Sequence, residues 1–296
     1  MKKRTLAIIL MVTVLASMML TGCGDSEPSN DKEIVENTNK EEKEDDNKDS
    51  GKVMIEEAVL LDEKGIKITA TGLEDGMFGT DLKLLIENNG ETNVTIQANY
   101  ASVNGYMVDT MMSEDVAAGK KANTELTFSI PEDANIKTIA TMEFKFHIFE
   151  TESWDEYLDS DTVVVETSAV GSYEQAYDDS GNVLYEGKGI KIVGKGLSAD
   201  DSIFGPGLLL YIENNSDKDI TVQARDTSVN GFMVDPSMSQ DIVSGKKALT
   251  AVTFFESDLE DNGIEEIEVI ETSFHVFEME DWDDIVDTDV IEIKFE

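Results

Sequence analysis

Beyond residue 52 the chain alternates between apolar and polar positions. Ile66, Ile68 and Ala70 interleave with Lys67 and Thr69, Val94, Ile96 and Ala98 with Thr95, Gln97 and Asn99, and Leu126 and Phe128 with Glu125 and Thr127. A period of two puts successive side chains on opposite faces of an extended chain, so these runs predict half-buried β-strands. Turn-forming clusters separate them: Asn88-Asn89-Gly90, Asn104-Gly105 and Ala118-Gly119-Lys120. Asn-Gly between two strands predicts a type I′ hairpin, because both residues accept the positive φ that the turn requires. Helical periodicity is nearly absent, with a short piece expected at most around Trp154 to Leu158. The fold class that follows is all-β, an antiparallel β-sandwich.

The pattern then occurs again. Residues 84–128 and 210–254 align without a gap at an offset of 126, with about 25 of 45 positions identical. Gly65-Ile66-Lys67-Ile68 matches Gly189-Ile190-Lys191-Ile192, Phe146-His147-Ile148-Phe149-Glu150 matches Phe274-His275-Val276-Phe277-Glu278, and Trp154-Asp155 matches Trp282-Asp283. A period this long is a duplicated globular unit rather than a solenoid turn. The expected organisation is two tandem β-sandwich domains, 53–168 and 169–296, meeting in the polar stretch Glu166 to Gly181. So short a spacer predicts halves that touch or flex about a hinge.

The order strand, Ile-Glu-Asn-Asn turn, strand, Val-Asn-Gly hairpin, Gly-Lys-Lys, then Thr-Glu-Leu-Thr-Phe resembles a family of immunoglobulin-like domains of Gram-positive secreted lipoproteins. That family is similar in fold to a mycobacterial immunoprotective extracellular antigen. The resemblance covers both repeats and implies tandem immunoglobulin-like sandwiches outside the cytoplasm, with no catalytic residues to carry over. One departure is that the family's Pro-Gly before the late strand reads Ala118-Gly119 and Ser244-Gly245.

The start of the chain has a different grammar. Lys2, Lys3 and Arg4 precede an apolar run from Leu6 to Leu20, and Leu20-Thr21-Gly22-Cys23 follows. This predicts a lipoprotein signal peptide over 1–22 and a lipidated Cys23 as the mature N-terminus, so the membrane is a partner through that lipid. Residues 23–52 are almost free of apolar side chains and rich in Glu, Asp, Lys, Asn and Ser, the composition of a disordered acidic tether. Cys23 is the chain's one cysteine, which removes disulfides and thiolate chemistry from the account. The expected location is the extracytoplasmic face of a bacterial membrane.

Charge narrows the partners. Loss of the three basic signal residues leaves 20 basic against 63 acidic residues, a net charge of −43. Such a chain does not suit nucleic acid, whose recognition needs clustered Lys and Arg. It suits solubility, cations and basic partners.

Candidate chemistry is sparse. His147 and His275 occupy matching strand positions with apolar neighbours on both faces, which predicts partly buried structural histidines, a pH-sensing role being the alternative. No nucleophile motif, phosphate loop, dinucleotide fingerprint or zinc spacing occurs. An enzyme is therefore not expected. Each repeat ends in an acidic loop, with Asp155, Asp159 and Asp161 in the first and Asp283, Asp287 and Asp289 in the second. Such oxygen donors could ligate Ca²⁺, although the spacing is not that of an EF-hand. Asp178-Asp179-Ser180-Gly181 reads as a turn. Met107, Met111, Met112, Met233 and Met238 lie beside the Asn-Gly hairpins and are expected mainly to fill the core. The expected function is non-catalytic binding of an extracellular protein or glycan. The alternative is calcium binding by the acidic loops.

Overall fold

A computed structural model describes residues 53–198 and 205–295. The signal segment, Cys23 and the tether lie outside the described residues. The first half contains β1 (Ala58–Glu63), β2 (Ile66–Asp75), β3 (Thr80–Asn88), β4 (Val94–Val103), β5 (Tyr106–Met107), β6 (Asp109–Met111), β7 (Ser113–Val116), β8 (Lys121–Ser129), β9 (Thr141–Glu150), β10 (Glu156–Asp159) and β11 (Val163–Glu166). The second half contains β12 (Asn182–Gly187), β13 (Ile190–Leu197), β14 (Gly207–Asn214), β15 (Ile220–Val229), β16 (Phe232–Met233), β17 (Ser239–Ile242), β18 (Lys247–Thr253), the short helix α1 (Glu256–Asp261), β19 (Val269–Glu278), β20 (Asp284–Asp287) and β21 (Ile291–Lys294).

The fold is all-β, as the alternation predicts. One sheet runs β1-β2-β3-β8-β6, and a third runs β16-β15-β19-β20 with β17 on β15 and β21 on β19. Between them a sheet runs β10-β9-β4-β5-β18-β14-β13-β12, with β11 on β9 and β7 on β4. Pairing is antiparallel throughout, except for one parallel bridge between Tyr106 of β5 and Lys247 of β18. That bridge joins strands of the first half to strands of the second.

The alternation sets the layers. In β9, Met142, Phe144, Phe146 and Ile148 are fully buried, while Glu143, Lys145 and His147 face outward. The inward residues pack with Ile66, Ile68, Leu82, Leu84, Ile86, Ile96, Leu126 and Phe128 into one core. A second core gathers Ile190, Ile192, Leu208, Leu210, Ile212, Val222, Val252, Phe254 and Phe274. Met107, from the first half, belongs to this second core. Both Asn-Gly pairs form the expected hairpins, with φ of 48° and 85° at Asn104-Gly105 and 52° and 84° at Asn230-Gly231.

Three expectations are refined. Trp154 to Leu158 is not helical: a turn leads into β10. The methionines divide, with Met107 buried but Met111 and Met233 exposed. The stretch between the repeats is held rather than loose. Ser168 N–H donates to Met54 O at 2.8 Å, and Tyr177 Oη donates to Asn104 O at 2.8 Å. Lys247 sits over the Tyr177 ring at 4.5 Å, and Lys246 pairs with Glu143. Tyr106, Val193 and Tyr211 form a small apolar cluster at this seam, with Leu249 packed against it.

Asn104 anchors that seam from within. Its Nδ2 donates to Thr138 O at 2.8 Å, and its Oδ1 accepts from the Ala140 and Thr141 amides at 2.8 and 3.1 Å. The side chain thus holds backbone groups that would otherwise be buried and unpaired. Among the described residues no helix is long and apolar enough to cross a membrane.

Candidate functional site

The outward face of β9 breaks the polar rule at one point. Phe149 is only 5 % exposed although its neighbours on that face are polar, and the residue that covers it is Trp154. The two rings stack with centroids 5.2 Å apart and an interplanar angle of 14°. The turn after β9 brings the indole back. Trp154 N–H donates to Glu150 O at 2.9 Å, Glu150 N–H donates to Asp155 O at 2.9 Å, and Ser153 Oγ donates to the Glu150 carboxylate at 3.0 Å. Closing this turn puts Trp154 at φ 64°, the left-handed region that a bulky residue rarely occupies.

The second half repeats the arrangement. Trp282 stacks on Phe277 at 5.4 Å and 14°, at φ 61°, with Trp282 N–H donating to Glu278 O and Glu278 N–H to Asp283 O. Both indoles are nevertheless open, at 74 % and 72 % exposure. Left-handed backbone at a non-glycine residue costs about 1–3 kcal/mol. Stacking returns about 0.5–1.5 kcal/mol of that. A strained residue held against its own stacking partner, with most of its surface in water, is a functional candidate on physical grounds.

Next along the same face stands the histidine. His147 lies 5.6 Å from Phe149 by ring centroids, and its Nδ1 meets Asp159 Oδ1 at 2.6 Å. His275 lies 5.1 Å from Phe277, and its Nδ1 meets Asp287 Oδ1 at 2.6 Å. A second carboxylate, Asp284, is 3.4 Å from His275 Nε2. The flanking strand adds Gln97 opposite His147 and Gln223 opposite His275, each directed to a serine, Ser113 or Ser239. Thr95 and Thr221 donate to Asp115 and Asp241 at 2.6 Å. Each half therefore carries an open indole on a phenyl ring, then an imidazole–carboxylate pair, then amide and hydroxyl groups.

Of the six aspartates proposed as ligands, the structure brings Asp159 and Asp287 to the histidines. Asp155 and Asp283 close the tryptophan turns through their carbonyls. Asp161 and Asp289 stand exposed in the loop before the last strand of each half. Among the described residues no group of three or more His, Cys, Asp or Glu side chains converges as a metal site. His147 is half-exposed and His275 buried, so the predicted partial burial varies between the halves.

Sequence reading passed over the tryptophans. Their signal was present, an aromatic five residues after the outward Phe in both repeats, but nothing in one-dimensional alternation says that the turn folds back.

Asp178 and Asp179 form ion pairs with Lys195 and Lys191 at 3.0 and 2.6 Å. The Ser180 hydroxyl, then Lys195 and the Ser180 amide, hold the Asp178 carboxyl down at about 2. Lys191 lowers Asp179. Burial pushes the Tyr106, Tyr177 and Tyr211 phenols up at the seam.

No protein-family model matches the chain, and no curated protein matches it. Among solved structures, the YadV chaperone aligns over 78 % of this chain and 100 % of its own, at 11 % identity and TM-score 0.24. A protein of unknown function from Porphyromonas gingivalis W83 aligns over 78 % of this chain and 97 % of its own, at 10 % identity and TM-score 0.23. Similarity at this level carries no functional argument.

Proposed function

We propose that this protein is a lipid-anchored, extracytoplasmic binding module built from two immunoglobulin-like repeats. Its two tryptophan corners engage basic groups on an extracellular protein partner. The observation that carries the reading is the duplicated, strained and exposed indole of Trp154 and Trp282. Carboxylates lie within two residues of each in sequence: Glu152, Asp155 and Glu156 near Trp154, and Glu280, Asp281, Asp283 and Asp284 near Trp282. An indole face attracts a Lys or Arg head group by about 0.5–2 kcal/mol, and neighbouring carboxylates add charge attraction. Net charge of −40 on the full chain steers a basic partner toward either corner. Two corners on one chain supply avidity when a single partner spans both.

The reading is non-catalytic. Each imidazole Nδ1 meets a carboxylate, Asp159 or Asp287, a pairing that serves to orient the ring in a structural role. The lipid anchor rests on the basic start, the apolar run and Cys23.

Titration of tryptophan fluorescence with a lysine-rich peptide tests the proposal, with neutral oligosaccharides and Ca²⁺ in parallel. Quenching by the peptide that fades with rising salt is the expected result. A response to oligosaccharide alone points to a glycan ligand. A Ca²⁺-selective response promotes the acidic-loop alternative. Either outcome overturns the basic-partner reading.

A further inference from the structure

The seam between the halves uses positions that the duplication supplied twice. On the first half it is the hairpin Val103-Asn104-Gly105-Tyr106-Met107 and, from β9, Glu143. On the second half it is the turn Gly245-Lys246-Lys247 with the strand face of Tyr211 and Leu249. The two sides differ, so the contact is head-to-tail. Among the described residues it leaves one copy of each side unused: the hairpin Val229-Asn230-Gly231-Phe232-Met233 with Glu271 in the second half, and the turn Gly119-Lys120-Lys121 in the first.

The unused copies are open. Tyr106 is 2 % and Met107 9 % exposed, whereas Phe232 and Met233, at the same positions of the same motif, are 48 % and 68 % exposed. A Cβ at Gly105 would meet Tyr177 Oη at 2.7 Å, but one at Gly231 would meet nothing within 4 Å. Lys246 is half-buried on Glu143, while Lys120 is exposed and makes no ion pair among the described residues. Glu271 accepts from Ser228 at 2.9 Å. The Ser102 hydroxyl at the equivalent position is buried with no hydrogen-bond partner among the described residues, and Glu143 pairs with Lys246.

The backbone is open too. Lys247 N–H donates to Gly105 O at 2.9 Å along the edge of β18. On the corresponding side of β8, β6 pairs with Thr127, Phe128 and Ser129, and among the described residues the edge near Lys121 is unpaired. An unpaired strand edge on the first half and an exposed apolar hairpin on the second are the two sides that a further strand pairing would need.

We propose that the Phe232–Met233 hairpin docks on the Gly119-Lys120-Lys121 edge of a second copy of this chain. It does so as Tyr106–Met107 docks on Gly245-Lys246-Lys247 within one. Gly231 O accepts from Lys121 N–H, Lys120 pairs with Glu271, and Phe232 covers Leu85. The match is weaker than the internal one, because Thr69, Leu85 and Asn123 stand where Val193, Tyr211 and Leu249 stand. Association is therefore reversible and concentration-dependent. A head-to-tail contact that does not close extends into open chains of molecules. The proposal is independent of the tryptophan corners.

Sedimentation velocity of the chain from residue 23 onward, carrying Cys23→Ser, tests it between low micromolar and near-millimolar concentrations. The expected result is a sedimentation coefficient that rises with concentration through dimer to longer species. Phe232→Lys should weaken association by about tenfold or more, the equivalent of about 1.4 kcal/mol. Glu271→Lys and Lys120→Glu should each weaken it, and the two together should restore it. Circular dichroism of each variant confirms that the sheets persist. A monomer at every concentration overturns the proposal. So does association that ignores Phe232→Lys, or a closed dimer lost with Phe232→Lys yet indifferent to Lys120→Glu.

Discussion

Replacing Tyr106 by alanine removes the ring that joins the two halves. The side chain is 2 % exposed and lies edge-on to Tyr177 at 5.2 Å and Tyr211 at 6.5 Å. A buried aromatic covers about 150–250 Å². At about 25 cal/mol per Å² that is about 4–6 kcal/mol, an upper bound because the extended reference overstates the area gained on folding. Aromatic-to-alanine changes in cores cost about 3–5 kcal/mol. A cost of about 3 kcal/mol is expected here, since the seam is a small cluster beside two larger cores. For a body of this size each kcal/mol moves the melting temperature about 2–4 °C, so the loss is about 6–12 °C. Phe232→Ala is the matched control: the same motif position, 48 % exposed, with an expected cost within about 0.5 kcal/mol. Scanning calorimetry at low micromolar concentration reads both, and the Tyr106 variant should also split one endotherm into two as the halves uncouple. Equal shifts for the two variants would refute the reasoning, because the seam would then contribute nothing.

Asn104→Ala should cost about 3 kcal/mol or more in denaturant unfolding, since it strips partners from Thr138 O and from the Ala140 and Thr141 amides. Asn230→Ala should cost less, because its equivalent bonds to Glu266 O and the Glu268 amide are exposed and only that to the Val269 amide is half-buried. Asp178 titrates lower folded than unfolded, so its stabilising effect is complete above about pH 4 and is lost as the pH falls through about 2. Amide exchange at Ser180 should stay protected at pH 4 and open toward pH 2, and Lys195→Met should move the opening to higher pH. Cys23→Ala should shift the protein from the membrane fraction to the soluble fraction of cells, and an unchanged distribution would remove the lipid anchor from the account.

How much was legible depended on the range of each signal. Alternation in Ile66 to Ala70 and Leu126 to Phe128, and the Asn-Gly pairs, are local, so strands, hairpins and the all-β class followed directly. The seam was not legible, because Tyr106 and Phe232 are near-identical in sequence and differ only in what lies across from them. The methionines failed as a group for the same reason: Met107 enters the second core while Met233 stays in water. Asn104 reads as a turn former, yet its amide also holds the chain between β8 and β9, a contact 34 residues away. The His–Asp pairs were out of reach too, since Asp159 and Asp287 looked like loop donors until β10 and β20 paired with β9 and β19.

The central claim is that Trp154 and Trp282 form two equivalent contact points for a basic partner. The most direct measurement compares the wild type, Trp154→Ala, Trp282→Ala and the double variant for binding to a surface carrying lysine-rich peptide. The account predicts that each single change weakens apparent affinity by about tenfold or more through lost avidity, and that the double change abolishes binding. Binding by the double variant equal to that of the wild type would contradict it.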